Sequence, residues 1–268
     1  MEFANRMNME IFVPALLIDA LSSKSFFILE YQSLALAAVF VVLFSGVLAW
    51  VFAKIFKLSV AMFVPSMMFN NSGNLGLPLA VLAFGENALG AAVILFLAEN
   101  IFHFTLGSYI VGGKVSWWKI LRMPVNIATI IGLSISISQV RMPELIQIPI
   151  HMLGQVVIPL MLVALGVRMT TVDLKAWRIG LLGALMCPLF SIIAAFLILL
   201  VIPLEPIQRT QLLLFATLPP AVLNYMFAEK YQQHPKEVAS IVVVGNALSI
   251  FTLSLMLLYL DLGKAVGS

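Results

Sequence analysis

The stretch FNNSGNLGLPLA, residues 69–80, interrupts an apolar run with residues that bind solutes or bend a helix. Asn71 and Asn74 supply amide donors and acceptors, while Gly76 and Pro78 weaken the helical hydrogen-bond ladder. Lipid offers no partner to backbone N–H and C=O groups, so a helix in a bilayer breaks only where protein or water satisfies those groups. We therefore predict a break in a membrane-spanning helix, at Gly73 to Pro78, that lines a binding site.

A second polar interruption, TLPPAVLN from Thr217 to Asn224, lies in the other half of the chain. Pro219 and Pro220 would break that helix, and Asn224 would add another amide. Two broken spans in corresponding halves are typical of the binding site of a secondary transporter, where half-helix N-termini favour an anion. The alternative is a pair of packing kinks, which would leave the asparagines unexplained.

Glu99 is an ionisable residue near the centre of the apolar segment AVILFLAENIFHFTLG. Such a residue costs about 3 kcal/mol to insert into a bilayer and is presumed to be functional. We predict a coupling role for Glu99, His103 at i+4 and Asn246, in which the carboxyl binds a proton or helps to bind sodium. The alternative is a structural carboxyl that is hydrogen-bonded to His103 or Asn246. Asp19, close to a helix end, is expected to be structural.

Composition places these residues in an integral membrane protein, because 62% of the 268 residues are hydrophobic and only 10% are charged. A soluble domain carries about 25% charged residues. Strand-like alternation is absent from the apolar runs, so the predicted fold class is all-α and polytopic. We find no zinc-ligand spacing, nucleotide-binding loop or hydrolase motif, so neither an enzyme, a metal site nor a cofactor is predicted. The net charge of +3 needs no nucleic-acid partner.

About nine apolar windows are long enough to be candidate spans. They cover residues 8–22, 32–53, 60–84, 88–111, 123–140, 148–168, 179–203, 209–229 and 238–260. Basic residues are divided between the two sides 11 to 4 for this set of spans. Because Lys and Arg accumulate in cytoplasmic loops, we predict a cytoplasmic N-terminus and an outside C-terminus, in an inner or plasma membrane.

A weak internal repeat relates the two halves. Pro14 and Pro159 lie in similar segments at an offset of 145 residues, Asn71 and Pro220 are 149 apart, and Glu99 and Asn246 are 147 apart. We therefore predict a first repeat, with the fifth observed span, in residues 1–141 and a second repeat in residues 142–268. Repeats of five spans would have opposite orientations, and the first one is then a helix short.

Three blocks of the sequence resemble the auxin efflux carrier family of permeases, which includes the plant PIN carriers and many bacterial members. They are NRMNMEIFVPALLIDAL at Asn5 to Leu21, NNSGNLGLPLA at Asn70 to Ala80, and ATLPPAVLNYMFAEKYQQHPKEVAS at Ala216 to Ser240. The resemblance implies ten helices as two inverted repeats of five. It also implies interleaved scaffold and transport domains whose fourth and ninth helices are broken and cross at the substrate site. The first family helix is absent here.

By this resemblance Asn71 occupies the crossing position of the first half, and Pro220 stands where plant members often have a polar residue. The resulting hypothesis is a secondary-active permease that exports or imports a small organic anion, a carboxylate, by an elevator-type mechanism. Its partners would be the bilayer, that anion and, as a homodimer, a second copy. The alternatives are a sodium-coupled symporter of the bile-acid-transporter type and a nontransporting membrane remnant.

Overall fold

The computed structural model describes residues 2–22, 28–113, 115, 117–140, 142–169 and 176–267. These residues are almost entirely helical, and the extended backbone among them forms one isolated antiparallel bridge, between Asn70 and Pro220, rather than strands. The predicted all-α fold class is confirmed.

The helices before residue 123 are α1 (Glu2–Met7), α2 (Val13–Ser22), α3 (Gln32–Ile55), α4 (Val60–Met68), α5 (Leu77–Phe84), α6 (Leu89–Phe102), α7 (Ser108–Ile110) and α8 (Trp117–Leu121). Those that follow are α9 (Pro124–Ser138), α10 (Glu144–Gln155), α11 (Val157–Met169), α12 (Trp177–Leu199), α13 (Pro206–Ala216), α14 (Val222–Lys230) and α15 (Pro235–Gly267). Within the described ranges three π-helical turns continue directly into α2, α5 and α7; they are Asn8–Phe12, Ser72–Gly76 and His103–Gly107.

Five helical segments within the described ranges are long and apolar enough to cross a membrane: Leu29–Ile55, Glu86–Ile110, Glu144–Val167, Trp177–Leu199 and Pro235–Asp261. Two shorter apolar helices, Ser72–Phe84 and Pro124–Ser138, fall within other predicted spans. A bilayer core requires about 20 apolar residues in one helix, which the five segments supply. The predicted spans 60–84 and 209–229 are each divided into two helices.

Local sequence explains several helix boundaries. Pro124 and Pro206 begin α9 and α13, where a missing N–H costs no intrahelical bond. Gly85, at a φ of 80°, ends α5 in a conformation that strains other residues. Gln139 ends α9 in the left-handed region, at a φ of 53°.

One compact unit contains Met1–Gln32, Gly73–Ile94 and Ser116–Thr170. Within it α2 packs against α9 and α10. The contact with α10 is close, because a Cβ on Gly154 would lie 3.0 Å from the Cα of Leu16. His151 Nδ1 on α10 lies 2.8 Å from Asp19 Oδ2 on α2, so Asp19 joins two helices in this unit.

The second compact unit contains Ser33–Ser72, Leu95–Val115 and Thr171–Ser268. Its centre is the packing of α12 against α15, and α4, α13 and α14 also contact α15. Two glycines allow the close approach of α12: a Cβ on Gly180 would lie 2.6 Å from Ser240 Oγ, and one on Gly183 would lie 2.7 Å from a methyl of Ile241. Both stretches of broken backbone belong to this unit.

Each unit is assembled from separate parts of the sequence. The division into repeats at 1–141 and 142–268 is a statement about sequence symmetry and stays a prediction. Arg141, at the predicted boundary, lies outside the described residues.

Candidate functional site

The two unwound stretches pair with each other in the second unit. Phe69–Asn71 follows the C-terminus of α4, and residues 217–221 separate α13 from α14. The Asn71 N–H donates to the Pro219 carbonyl at 2.7 Å, and the Ala221 N–H donates to the Phe69 carbonyl at 2.9 Å. The stretches run antiparallel and are buried. Each therefore satisfies backbone groups that the other releases, which is what a break at membrane depth requires.

The first break lies a few residues before the predicted position. Gly73 to Gly76 form a π-helical turn and Pro78 lies in the first turn of α5, so Gly73 to Pro78 is helical and the prediction was wrong there. Proline is tolerated in a first helical turn because its missing N–H removes little. Asn74, Gly76 and Pro78 belong to the first unit, whereas the other predicted site residues belong to the second. The second break agrees with its predicted position, with Asn224 in the first turn of α14.

The two paired stretches, Phe69–Asn71 and residues 217–221, are together called the crossing, and a network of buried amides stabilises it. Asn71 Nδ2 donates to Asn246 Oδ1 at 2.8 Å. Asn246 Nδ2 in turn donates to the carbonyl oxygens of Pro220 at 3.1 Å and Val242 at 2.7 Å. Asn224 Nδ2 donates to the Phe69 carbonyl at 3.1 Å. Asn246 on α15 thus fixes both unwound stretches, which is a positioning role that the sequence did not predict.

Asn70 is a site residue that sequence reasoning missed. Its Nδ2 donates to the Phe215 carbonyl at 3.0 Å and to Ser191 Oγ at 3.3 Å, and its Oδ1 accepts from Cys187 Sγ at 3.2 Å. These bonds tie the first unwound stretch to α12 and α13. The available signal was the Asn-Asn pair itself, because neighbouring side chains of an extended stretch point to opposite sides. One asparagine then faces α15 and the other faces α12.

Glu99 lies on α6 beside the first unwound stretch and is 7% exposed. Its carboxyl is next to the Ser72 hydroxyl and the Asn70 N–H, while Oε1 has no hydrogen-bond partner among the described residues. Neither of the predicted structural partners, His103 and Asn246, bonds to it within that part of the chain. Glu99 is therefore a buried carboxyl with an uncommitted oxygen.

A cavity of about 30 Å³ adjoins this carboxyl. Its polar lining comes from Glu99, Asn70 and Ser191, and its apolar lining includes Val42, Leu95 and Phe215. A cavity of more than about 10 to 15 Å³ with polar partners can hold a water molecule. The space beside Glu99 can therefore admit a water or a small cation but not an organic solute.

His103 covers another side of the crossing. Its ring stacks on Phe69 with centroids 4.2 Å apart and meets the edge of Phe227 at 5.2 Å. It lies beside Asn224, and His103 Nε2 and Asn224 Oδ1 both lack hydrogen-bond partners within the described residues. His103 therefore packs between the aromatic rings of Phe69 and Phe227 at the crossing. One polar atom of His103 and one of Asn224 have no hydrogen-bond partner among the described residues.

Apolar spanning helices and two broken helices that pair through their unwound backbone are typical of a polytopic membrane transporter. Residues 109–257, more than half of the chain, match the family described as "Membrane transport protein". The chain belongs to this family, and the resemblance to the auxin efflux carriers is confirmed.

Two relatives agree with this assignment. An uncharacterized transporter of Methanocaldococcus jannaschii is 26% identical over 246 residues, which cover 85% of this chain and 79% of the relative. A protein of Rhizobium meliloti named "Putative malonate transporter" is 26% identical over 208 residues, which cover 72% of this chain and 64% of that protein.

Proposed function

We propose that this permease moves a small organic anion across the membrane by alternating access, with the crossing as its binding site. The observation that carries the proposal is the antiparallel pairing of the two unwound stretches, Asn71 N–H to Pro219 and Ala221 N–H to Phe69. Helices restart immediately after both stretches, at Ser72 and Val222. Two helix N-termini thus begin beside the same short stretch of backbone.

An anion is the ligand that these N-termini favour. Each N-terminus carries roughly half a positive charge and stabilises an anion by about 0.3 to 2 kcal/mol. No Lys or Arg side chain bonds to the crossing residues in the part of the chain that the structure describes. The Nδ2 groups of Asn71, Asn224 and Asn246 already donate to other groups of the protein. The helix N-termini would then bind the solute, which favours a small, compact anion. The name of the Rhizobium meliloti relative suggests a short dicarboxylate, and we propose a carboxylate here.

The elevator-type cycle and the membrane orientation are further parts of this proposal. An elevator needs two bodies that each move as a unit, and the two compact units of this chain support it. The distribution of basic residues supports a cytoplasmic N-terminus. Homodimer formation remains a prediction.

Glu99 is the proposed coupling group. Its unpartnered Oε1 and the adjacent small cavity would let a proton or a small cation reach the carboxyl without displacing the substrate. We propose a proton, because one carboxylate and two neutral side chains give sodium few of the oxygen ligands that a hard cation needs. Asn70 lines the cavity, so a proton on Glu99 or a cation in the cavity would change the contacts of the first unwound stretch.

Uptake by purified protein in liposomes tests the function. Radiolabelled malonate is expected to accumulate when a proton gradient is imposed, and excess unlabelled carboxylate should compete for it. Protein-free liposomes set the background. Accumulation that requires sodium and ignores the proton gradient would instead favour the bile-acid-type symporter, and no uptake of any mono- or dicarboxylate would contradict the proposal.

Replacing Glu99 by Gln is expected to remove the proton dependence of uptake without preventing the binding of the carboxylate substrate. Gln keeps the shape of the side chain but carries no titratable proton, so flux driven by an imposed proton gradient should fall at least tenfold. Exchange of labelled for unlabelled substrate, which needs no net proton movement, should persist. Glu205→Gln, at an exposed carboxylate before α13, is the matched control. Gradient-driven flux that survives in Glu99→Gln would remove this residue from the coupling mechanism.

A further inference from the structure

The short helix α8, Trp117–Leu121, presents a large apolar surface to the outside of its unit. Trp117 and Trp118 are each 64% exposed, and Leu121 is 51% exposed. These side chains are not in the core of the unit that contains them. Exposed tryptophans at the end of a membrane helix are typical of the headgroup region, where an indole ring can be both wet and apolar.

Arg122, directly after α8, is stacked on one of these rings. Its guanidinium carbon lies 4.5 Å from the centre of the Trp118 ring. Stacking holds the guanidinium plane in place and leaves its N–H edges free to donate two hydrogen bonds to an oxyanion. Among the described residues no carboxylate forms an ion pair with Arg122.

The rest of the unit fixes the helix in position. Asn126 Nδ2 on α9 donates to the Ile120 carbonyl at 2.6 Å, which satisfies a carbonyl near the end of α8. The Arg122 and Met123 N–H groups donate to the Trp118 and Ile120 carbonyls at 3.3 and 3.1 Å. The stacked pair is therefore held at the start of α9 rather than on a free loop.

The sequence on both sides of α8 carries only positive charge. Between Glu99 and Glu144 the chain has four basic residues, Lys114, Lys119, Arg122 and Arg141, and no Asp or Glu. An apolar, aromatic surface with an unpaired cation complements the anionic face of a bilayer leaflet. Arg pairs with phosphate through two parallel N–H···O bonds, which a Lys cannot form.

We propose that α8 and Arg122 form a binding site for the phosphate headgroup of an anionic phospholipid, with Trp117, Trp118 and Leu121 inserted between neighbouring lipids. The site anchors its unit at one membrane surface. It does not depend on which solute is transported.

Quenching of tryptophan fluorescence by brominated lipids tests this site. In a Trp50→Phe, Trp177→Phe background only Trp117 and Trp118 report. The protein is reconstituted into phosphatidylcholine vesicles that contain an equal fraction of either brominated phosphatidylglycerol or brominated phosphatidylcholine. We expect phosphatidylglycerol to be enriched next to these tryptophans by about fivefold, which corresponds to one basic residue near a surface. Arg122→Gln should abolish the enrichment, giving a ratio of about 1, and Arg122→Lys should keep only part of the enrichment of the parent protein.

Arg209→Gln is the control, because it removes the same charge from an exposed arginine that follows the start of α13. It should leave the enrichment unchanged. Equal quenching by the two lipids in the parent protein, or an enrichment that survives Arg122→Gln, would overturn the proposal. Loss of enrichment in Arg209→Gln as well would also overturn it, because the effect would then be one of net charge.

Discussion

Gly245→Ala is expected to destabilise the protein by about 1–3 kcal/mol and to abolish transport. Gly245 lies on α15 directly against the crossing, where a Cβ would be 2.6 Å from Pro220 Cδ. The proline ring cannot rotate away, and its backbone is fixed by the Asn246 amide, so the second unwound stretch would have to move. The melting temperature in detergent should fall by several degrees, and carboxylate uptake should fall to background.

Gly166→Ala is the matched control, because it makes the same change in a helix where nothing lies within 4 Å of the new Cβ. It should leave both the melting temperature and the uptake unchanged or slightly raise stability, since Ala favours helix more than Gly does. If Gly245→Ala behaves like this control, Pro220 is not held where the structure places it.

Asn71→Ala and Asn246→Ala are each expected to reduce carboxylate uptake more than tenfold. Either change removes the 2.8 Å bond between the two side chains and leaves a buried amide group unpaired, which costs about 1–3 kcal/mol. The loss of stability and uptake in the double variant should be much smaller than the summed losses of the two single variants, because the double variant removes both members of one buried pair. The double-mutant cycle is measured from the uptake rates and melting temperatures of the parent protein, the two single variants and the double variant.

Ser254→Ala controls for substitution on the same helix, because Ser254 is exposed and donates only to the Ile250 carbonyl one turn before it. It should match the parent protein in both assays. Strictly additive losses in the Asn71 and Asn246 variants would contradict the network described here.

The amino-acid sequence predicts the helical class and the existence of both breaks because each depends on local chemistry. Apolar runs of spanning length must be helical in lipid. The adjacent prolines Pro219 and Pro220 remove two neighbouring N–H donors from a helix, whereas a single proline such as Pro188 lies inside the continuous helix α12. The position of the first break was not predictable in this way. Gly73, Gly76 and Pro78 are all compatible with a π-helical turn and a new helix, whereas Phe69 to Asn71 unwind because the second stretch supplies their backbone partners.

The side chains of the candidate site show the same division. Asn71, Asn74 and Asn224 could be named as candidates because an amide in or beside a predicted break has few other uses, but Asn74 lies in a π-helical turn and belongs to the first unit. The coupling role of Asn246 stays a prediction. Its bonds to Asn71 and Pro220 could not be predicted, because only the folded chain shows which residues lie beside it. Asn70 was overlooked, since the roles of two adjacent asparagines depend on which faces α12 and which faces α15. Contacts between residues more than 100 positions apart decide each of these cases.

Binding of a carboxylate by the paired unwound stretches can be measured by a thermal-shift titration of purified protein with mono- and dicarboxylates, carried out in parallel on the parent protein, Asn71→Ala and Ser254→Ala. We expect a saturable rise in melting temperature with at least one small carboxylate in the parent and in Ser254→Ala, and no rise in Asn71→Ala. A shift of equal size and midpoint in Asn71→Ala would show that the carboxylate binds elsewhere and not at the unwound stretches.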